Sequence, residues 1–237
     1  MELTFTTKVV FLLFFGGFFY LDRVPLLQMM FHRPLVVSVV VGALFGRVAE
    51  CSMLGILLEM LWVSKLPVGA SLPPDDTGAA IFGSFALVVL SSLRKVGYAD
   101  IALVAAASVF VGEMGRSGDV IVRRVNGKIT KYAVEAVRVG DFKTLDSCIY
   151  ASIIVWFLMG LILTASWLFL ALLVGKYAIP LLPVRAVSVF QIMYFIIPAT
   201  GAVSVFQHCK VGKGSAVFHM ALASGAIVFV VVEMGIF

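Results

Sequence analysis

Three long apolar stretches dominate the second half of this sequence, at about residues 148–175, 186–206 and 214–237. A helix needs about 20 apolar residues to cross the hydrocarbon core of a bilayer, and each of these stretches reaches that length. The chain is also 62% hydrophobic and only 13% charged, whereas soluble domains carry about 25% charged residues. The sequence therefore predicts an all-α, polytopic membrane protein with a single membrane domain, residues 1–237.

Residues 1–95 follow a different pattern, because their apolar stretches, at about 8–21, 35–48, 53–63 and 78–92, are short and separated by prolines. Proline removes a backbone donor and disfavours helix in the residue before it. Such breaks must be buried in protein or line a watery cavity, and transporters place substrate sites at discontinuous helices. We therefore expect re-entrant or broken helical hairpins and a substrate site in residues 1–95, and full spans only in the last three stretches, within residues 147–237.

Between these two regions, residues 113–146 are basic and amphipathic. Seven of the 18 Lys and Arg residues lie between Arg116 and Lys143, and apolar residues recur there at helical spacing. The Asn126-Gly127 pair is where we expect a kink or a break in this helix. The positive-inside rule places the segment in the cytoplasm. It can lie on anionic lipid headgroups or dock a cytosolic partner, and the two roles are compatible.

The strongest polar signal is the adjacent acid pair Asp75 and Asp76, which follows a double proline and precedes an apolar run. A charge at mid-bilayer costs about 2.5–3.5 kcal/mol and therefore indicates a function or a partner. Either acid can serve as the N-cap of the following helix, and we expect Asp76 to take this role. The other can accept hydrogen bonds from vicinal hydroxyls of a neutral sugar. Glu59 is a second intramembrane acid, and Arg33 could form an ion pair with it or with Asp22.

Several short motifs, taken in their order along the chain, resemble the IIC subunit of the mannose/fructose/sorbose family of the bacterial phosphoenolpyruvate:sugar phosphotransferase system. The motifs are Leu21-Asp22, Phe31-His32-Arg33-Pro34-Leu35, Leu58-Glu59-Met60, Gly69-Ala70 and Pro74-Asp75. The close resemblance covers about residues 20–85, and a looser one continues into the basic segment.

This resemblance implies a multi-pass protein of the bacterial inner membrane that carries a hexose or related sugar for phosphorylation by a cytosolic IIB partner. It also implies a IID membrane subunit, a cytosolic IIA carrier and a trimer of IIC–IID pairs within membrane lipid. The phosphoryl group is carried by a histidine of the partner, so no catalytic residue is expected on this chain. The resemblance makes Asp75 and Glu59 the leading sugar-binding candidates, with Asp22, Gly69, Pro74 and Gln28 near them.

Other classes of site find less support in the residues. The cysteines at 51, 148 and 209 are far apart and form no CxxC pair, so neither a metal site nor a disulfide framework is expected. No cofactor motif is present, and a net charge of +5 in such a chain reports membrane orientation rather than nucleic-acid binding. The alternatives are an ion-coupled transporter, a regulatory IIC-like protein without transport, or an intramembrane aspartyl hydrolase. The last requires two acids on separate helices that share a proton.

Overall fold

The computed structural model describes residues 4–62, 72–182 and 184–208, and within those ranges the chain is helical with no β-strand. The predicted all-helical membrane fold is thereby confirmed. The α-helices of the described part are α1 Phe5–Arg23, α2 Pro34–Phe45, α3 Val48–Trp62, α4 Asp76–Leu93, α5 Tyr98–Val139, α6 Phe142–Leu173 and α7 Val184–His208. A π-helical turn, Val174–Ala178, and a 3₁₀ turn, Ile179–Leu181, extend α6.

Four helical segments of the described chain are long and apolar enough to cross a bilayer: Phe5–Arg23, Asp76–Leu93, Tyr98–Val139 and Phe142–Leu181. The expectation that only the last three apolar stretches reach this length was wrong, since three of these segments begin before residue 100. The helices continue beyond their apolar stretches into polar ends; α1, for example, runs from the N-cap Thr4 to Arg23. The apolar stretch 214–237 lies outside the described residues.

Helices α2 and α3 form a short antiparallel hairpin. They contain 12 and 15 residues, so α2 is about 18 Å long against a hydrocarbon core of about 30 Å. Gly46 turns the chain between them in the left-handed region, with φ +73. A Cβ added to Gly42 would lie 2.9 Å from the Cα of Val48, and therefore only a glycine lets the two helices approach so closely. This geometry is the one expected of a re-entrant hairpin.

Helix α4 lies at the centre of the bundle. Every residue from Thr77 to Leu90 is buried, and α2, α3, α5 and α6 all pack against it. A helix that is apolar around its whole circumference belongs in such a position. The N-terminus of α4, which follows the non-helical residues 72–75, is therefore placed inside the protein.

Helices α5 and α6 form a long antiparallel hairpin that contains the basic segment 113–146 in its far half. Helix α5 has 42 residues and runs without interruption through Asn126-Gly127, so the break expected there was wrong. Its apolar face, which includes the fully packed Val122, lies along α6 and outweighs the low helix propensity of this pair. The hairpin turns at Gly140, with φ +76, and Asp141 caps α6 by accepting the N–H of Thr144 at 3.2 Å.

Candidate functional site

Asp75 is the N-cap residue of α4, and its side chain is fully buried. Its Oδ1 accepts the backbone N–H of Gly78 at 3.0 Å, while its own N–H donates to the carbonyl of Gly112 at 2.8 Å. The expectation that Asp76 caps this helix was wrong, because the side chain of Asp75 makes the cap. Since the carboxylate also makes contacts with side chains of other helices, its position is fixed by both the backbone and the tertiary structure.

Arg23, the last residue of α1, places a cation beside Asp75. Its Nη1 lies 3.1 Å from Asp75 Oδ1 and 3.4 Å from an oxygen of Asp119, on α5. Its Nη2 donates to the carbonyl of Pro74 at 2.8 Å, and its Nε lies 3.5 Å from Asp76. The side chain is only 6% exposed. Arg23 thus ties α1 to α5 and to the broken segment that leads into α4.

Two aromatic side chains complete this cluster. The hydroxyl of Tyr20, one helical turn before Arg23, donates to Asp75 Oδ2. The indole Nε1 of Trp167, on α6, lies beside the Tyr20 hydroxyl. Its N–H has no acceptor with hydrogen-bond geometry in the described part of the chain. We call Tyr20, Arg23, Asp75, Asp119 and Trp167 the Asp75 cluster.

Two glycines make room for the carboxylate of Asp75. A Cβ on Gly78 would lie within 3.0 Å of Asp75 Oδ2, Trp167 Nε1 and Tyr20 Oη. A Cβ on Gly115, on α5, would lie within 3.0 Å of the same carboxylate. The side chains of Tyr20, Asp75 and Trp167 therefore meet at a place where a residue larger than glycine at position 78 or 115 would collide with them.

The charges around Arg23 do not balance, because its guanidinium faces the three carboxylates of Asp75, Asp76 and Asp119. Buried ions are stable only when they are paired and hydrogen-bonded. Removal of Arg23 would take the ion-pair partner from Asp75 and Asp119, which are both buried. Despite this concentration of acids, the described residues contain no group of three His, Cys, Asp or Glu side chains that could hold a metal ion.

Asp22, another sequence candidate, faces away from the cluster and organises the loop after α1. Its carboxylate accepts the backbone N–H groups of Met29 at 2.7 Å and His32 at 3.1 Å, and pairs with His32 Nδ1 at 2.9 Å. Three non-glycine residues of this loop have positive φ: Leu27, Gln28 and Met30. Gln28 itself is exposed and donates to the carbonyl of Val24 at 2.8 Å. Asp22 therefore holds a strained loop.

Glu59 lies on α3 and pairs with Arg33 at 3.6 Å. Both side chains are about a quarter exposed, at 24% and 27%, and neither contacts the Asp75 cluster. The structure thus selects Glu59 over Asp22 as the partner of Arg33. Pro74 contributes its carbonyl to Arg23, whereas Gly69 lies outside the described residues.

Sequence reasoning missed Tyr20, Arg23, Asp119 and Trp167. Arg23 looked like an ordinary charged flank at the end of an apolar stretch. A usable signal was present in α5, where Asp119 follows glycines at 112, 115 and 118, spaced along one helix face. Tyr20 and Trp167 carry no local signal that distinguishes them from packed aromatic residues.

Comparisons with known proteins support the membrane assignment and the resemblance. A model of the family described as "PTS system sorbose-specific iic component" matches residues 6–230. The "PTS system sorbose-specific EIIC component" of Klebsiella pneumoniae is 29% identical over 115 residues, which are 48% of this chain and 41% of that protein. A solved structure described as "Structure of membrane protein" has a TM-score of 0.75 at 20% identity, covering 99% of this chain and 96% of its own.

Proposed function

The chain belongs to the sorbose-specific IIC component family of the phosphotransferase system, and from this membership we propose that it carries a hexose or related sugar across the bacterial inner membrane. The sugar is phosphorylated by a separate cytosolic IIB protein that is charged through IIA. The observation that carries the proposal is the buried Asp75 carboxylate at the break before α4, surrounded by donors from other helices. A carboxylate at a discontinuous helix is suited to bind neutral hydroxyls inside a membrane.

In the present arrangement the acceptor positions of Asp75 are filled by the protein itself. Oδ1 accepts from Gly78 and Arg23, and Oδ2 accepts from Tyr20. Helix α1 packs mainly on α6 and has few contacts with α4 apart from this cluster. A displacement of α1 relative to α4 would release the donors of Tyr20 and Arg23 and leave Asp75 open to sugar hydroxyls. We take the described arrangement as the closed state of the site.

The proposal includes a IID membrane subunit and a trimer of IIC–IID pairs. Helix α1 supports it with a face of exposed aromatic residues, among them Phe11, Phe14 and Phe15, that lines an apolar groove of about 430 Å³. Co-expression of the two subunits, followed by purification through a tag on one of them, tests the pairing. Recovery of this chain alone in a stable, transport-competent form would contradict it.

We also propose that the basic segment 113–146 faces the cytoplasm. Arg123, Arg124, Lys128 and Lys131 are exposed and form no ion pair with other described residues, as expected for cations near the headgroups of the inner leaflet. In a chain with Cys148→Ser and Cys209→Ser, a Lys131→Cys variant should react with a membrane-impermeant maleimide only in inside-out vesicles. Cys51 is fully buried and should not interfere. Labelling of intact cells would contradict this orientation.

Uptake of labelled mannose, fructose, sorbose and N-acetylhexosamines tests the function directly. Cells would express this chain with its IID partner, with and without the cytosolic phosphoryl carriers. We expect sugar phosphate to accumulate only when the carriers are present. Uptake without carriers that responds to a proton or sodium gradient would favour an ion-coupled transporter. This is the second candidate, because three acids lie around Arg23 and acids can bind protons or cations. No uptake with both subunits intact would favour a regulatory protein.

The role of Asp75 requires a variant with a matched control. Asp75→Asn keeps an oxygen for the cap, because asparagine is also a good N-cap residue, but removes the charge. Asp100 is a suitable control, since it is 3% exposed, accepts the N–H of Gly97 at 2.9 Å at the start of α5 and pairs with Arg94. We expect Asp75→Asn to abolish uptake at unchanged membrane abundance and Asp100→Asn to retain it. Equal effects of the two substitutions would contradict the assignment.

A further inference from the structure

We propose that Tyr20 and Trp167 form the second half of the sugar site and select sugars by one particular hydroxyl, an inference that rests on the proposed transport function. The two side chains belong to α1 and α6, whereas Asp75 and its supporting glycines belong to α4 and α5. The sugar would therefore bind between these two pairs of helices.

The first observation is the indole N–H of Trp167. The side chain is 7% exposed, and its Nε1 has no hydrogen-bond acceptor among the described residues. A buried donor without a partner costs roughly 1–3 kcal/mol and calls for an explanation. Trp167 Nε1 and Asp75 Oδ2 both lie against the same glycine, Gly78. The Tyr20 hydroxyl lies beside both atoms and donates to the carboxylate, but it does not accept the indole N–H with hydrogen-bond geometry.

A sugar hydroxyl has the chemistry needed to connect them. A hydroxyl offers one donor and two acceptor lone pairs. Placed between the side chains, it would donate to Asp75 Oδ2 and accept from Trp167 Nε1 and from the Tyr20 hydroxyl. The Tyr20 proton, now donated to Asp75, would turn to the sugar. One hydroxyl would thereby satisfy all three polar groups, including the donor that is unpaired in the closed state.

The glycines support this arrangement. Gly78 lies beneath the three polar atoms, and Gly115 lies against the same carboxylate. Any larger residue at either position would fill the place where a hydroxyl is expected to enter once α1 moves. Arg23 contacts Asp75 at Oδ1, so the ligand hydroxyl at Oδ2 would use the other oxygen of the carboxylate.

Selectivity follows from the unpaired groups that a missing hydroxyl would leave behind. A site built to hydrogen-bond a substrate hydroxyl rejects the analogue that lacks it, because buried polar groups then remain unsatisfied. For the sugar with the highest uptake in the panel above, we expect one of its monodeoxy analogues to be transported at least about tenfold less efficiently than the parent sugar.

The test compares the unaltered chain with Tyr20→Phe, Trp167→Phe and Trp156→Phe, all co-expressed with the IID partner. Trp156 is the matched control, since it is 4% exposed but belongs to a separate apolar cluster with Leu21 and Val122. Uptake efficiency, expressed as kcat/KM, would be measured for the parent sugar and its 2-, 3-, 4- and 6-deoxy forms. Two aromatic variants from different helices are used so that the loss of one to misfolding leaves the other informative.

We expect the unaltered chain and Trp156→Phe to discriminate against the same deoxy sugar. Trp167→Phe and Tyr20→Phe should transport the parent sugar less efficiently. They should also reduce the discrimination to less than about threefold, because each variant lacks a polar group that hydrogen-bonds the sugar hydroxyl. Full discrimination in both variants would overturn the inference while leaving the proposed transport intact. Failure of the unaltered chain to transport any sugar would instead overturn the proposed function and this inference with it.

Discussion

The guanidinium of Arg23 lies 3.1 Å from the carboxylate of Asp75, so the last residue of α1 neutralises the residue that caps α4. The two are 52 residues apart in the sequence. Because Asp119 and Asp76 share the same cation, this single side chain sets the electrostatic balance of three helices.

Arg23→Gln should destabilise the protein by about 3–5 kcal/mol, since it leaves buried carboxylates without a counterion. Adding Asp119→Asn should recover part of this loss by removing one of the three negative charges. Thermal unfolding of the detergent-solubilised protein, followed by tryptophan fluorescence, measures both effects. Strictly additive losses in the double variant would show that Arg23 and Asp119 are not coupled.

Gly115→Ala and Gly127→Ala should act in opposite directions, although both glycines lie within α5. At Gly115 the new methyl group would collide with Asp75, and we expect a loss of about 1–3 kcal/mol together with reduced uptake. At Gly127 no atom lies within 4 Å, and alanine should stabilise the helix by about 0.5–1 kcal/mol. Measurements of Tm and uptake for the two variants test these opposite expectations. Similar behaviour of both would mean that close packing at Asp75 is unimportant.

Asp22→Ala should lower stability by about 2–3 kcal/mol, because two backbone N–H groups and His32 lose their acceptor. The loop residues with positive φ would then relax, and limited proteolysis between residues 24 and 33 should become faster. Gln28→Ala is the control within the same loop, since its exposed side chain reaches only the carbonyl of Val24. If Gln28→Ala abolished uptake at normal stability, Gln28 would have to contact the sugar rather than the loop alone.

The sequence predicted those features of the fold that depend on residues close together in the chain. Long apolar runs predicted a helical membrane fold, and the double proline before Asp75 predicted the break at the start of α4, because proline restricts its own residue and the one before it. Helix ends were harder to place. A helix such as α5 continues far beyond its apolar residues when a neighbouring helix packs against it.

The candidate site was predicted only through its carboxylate. The other members of the Asp75 cluster are residues 20, 23, 119 and 167. Only Asp119 has a local signal, the glycines that precede it, whereas Tyr20, Arg23 and Trp167 resemble core aromatics and a flanking charge. Their role arises from the packing of α1, α5 and α6 around α4. Asp22 shows the converse, because the family resemblance made it a candidate for the sugar site, whereas its carboxylate accepts backbone N–H groups of the adjacent loop.

The length of α5 has a mechanical consequence. The helix contacts Asp75 at Gly115 and continues without a break to its exposed basic end. Gly115 and Lys131 are therefore about 24 Å apart along one stiff rod. A tilt of about 10° about Gly115 moves Lys131 by about 4 Å at that length. A partner bound at the basic end of α5 could therefore tilt the whole helix about its contact with Asp75.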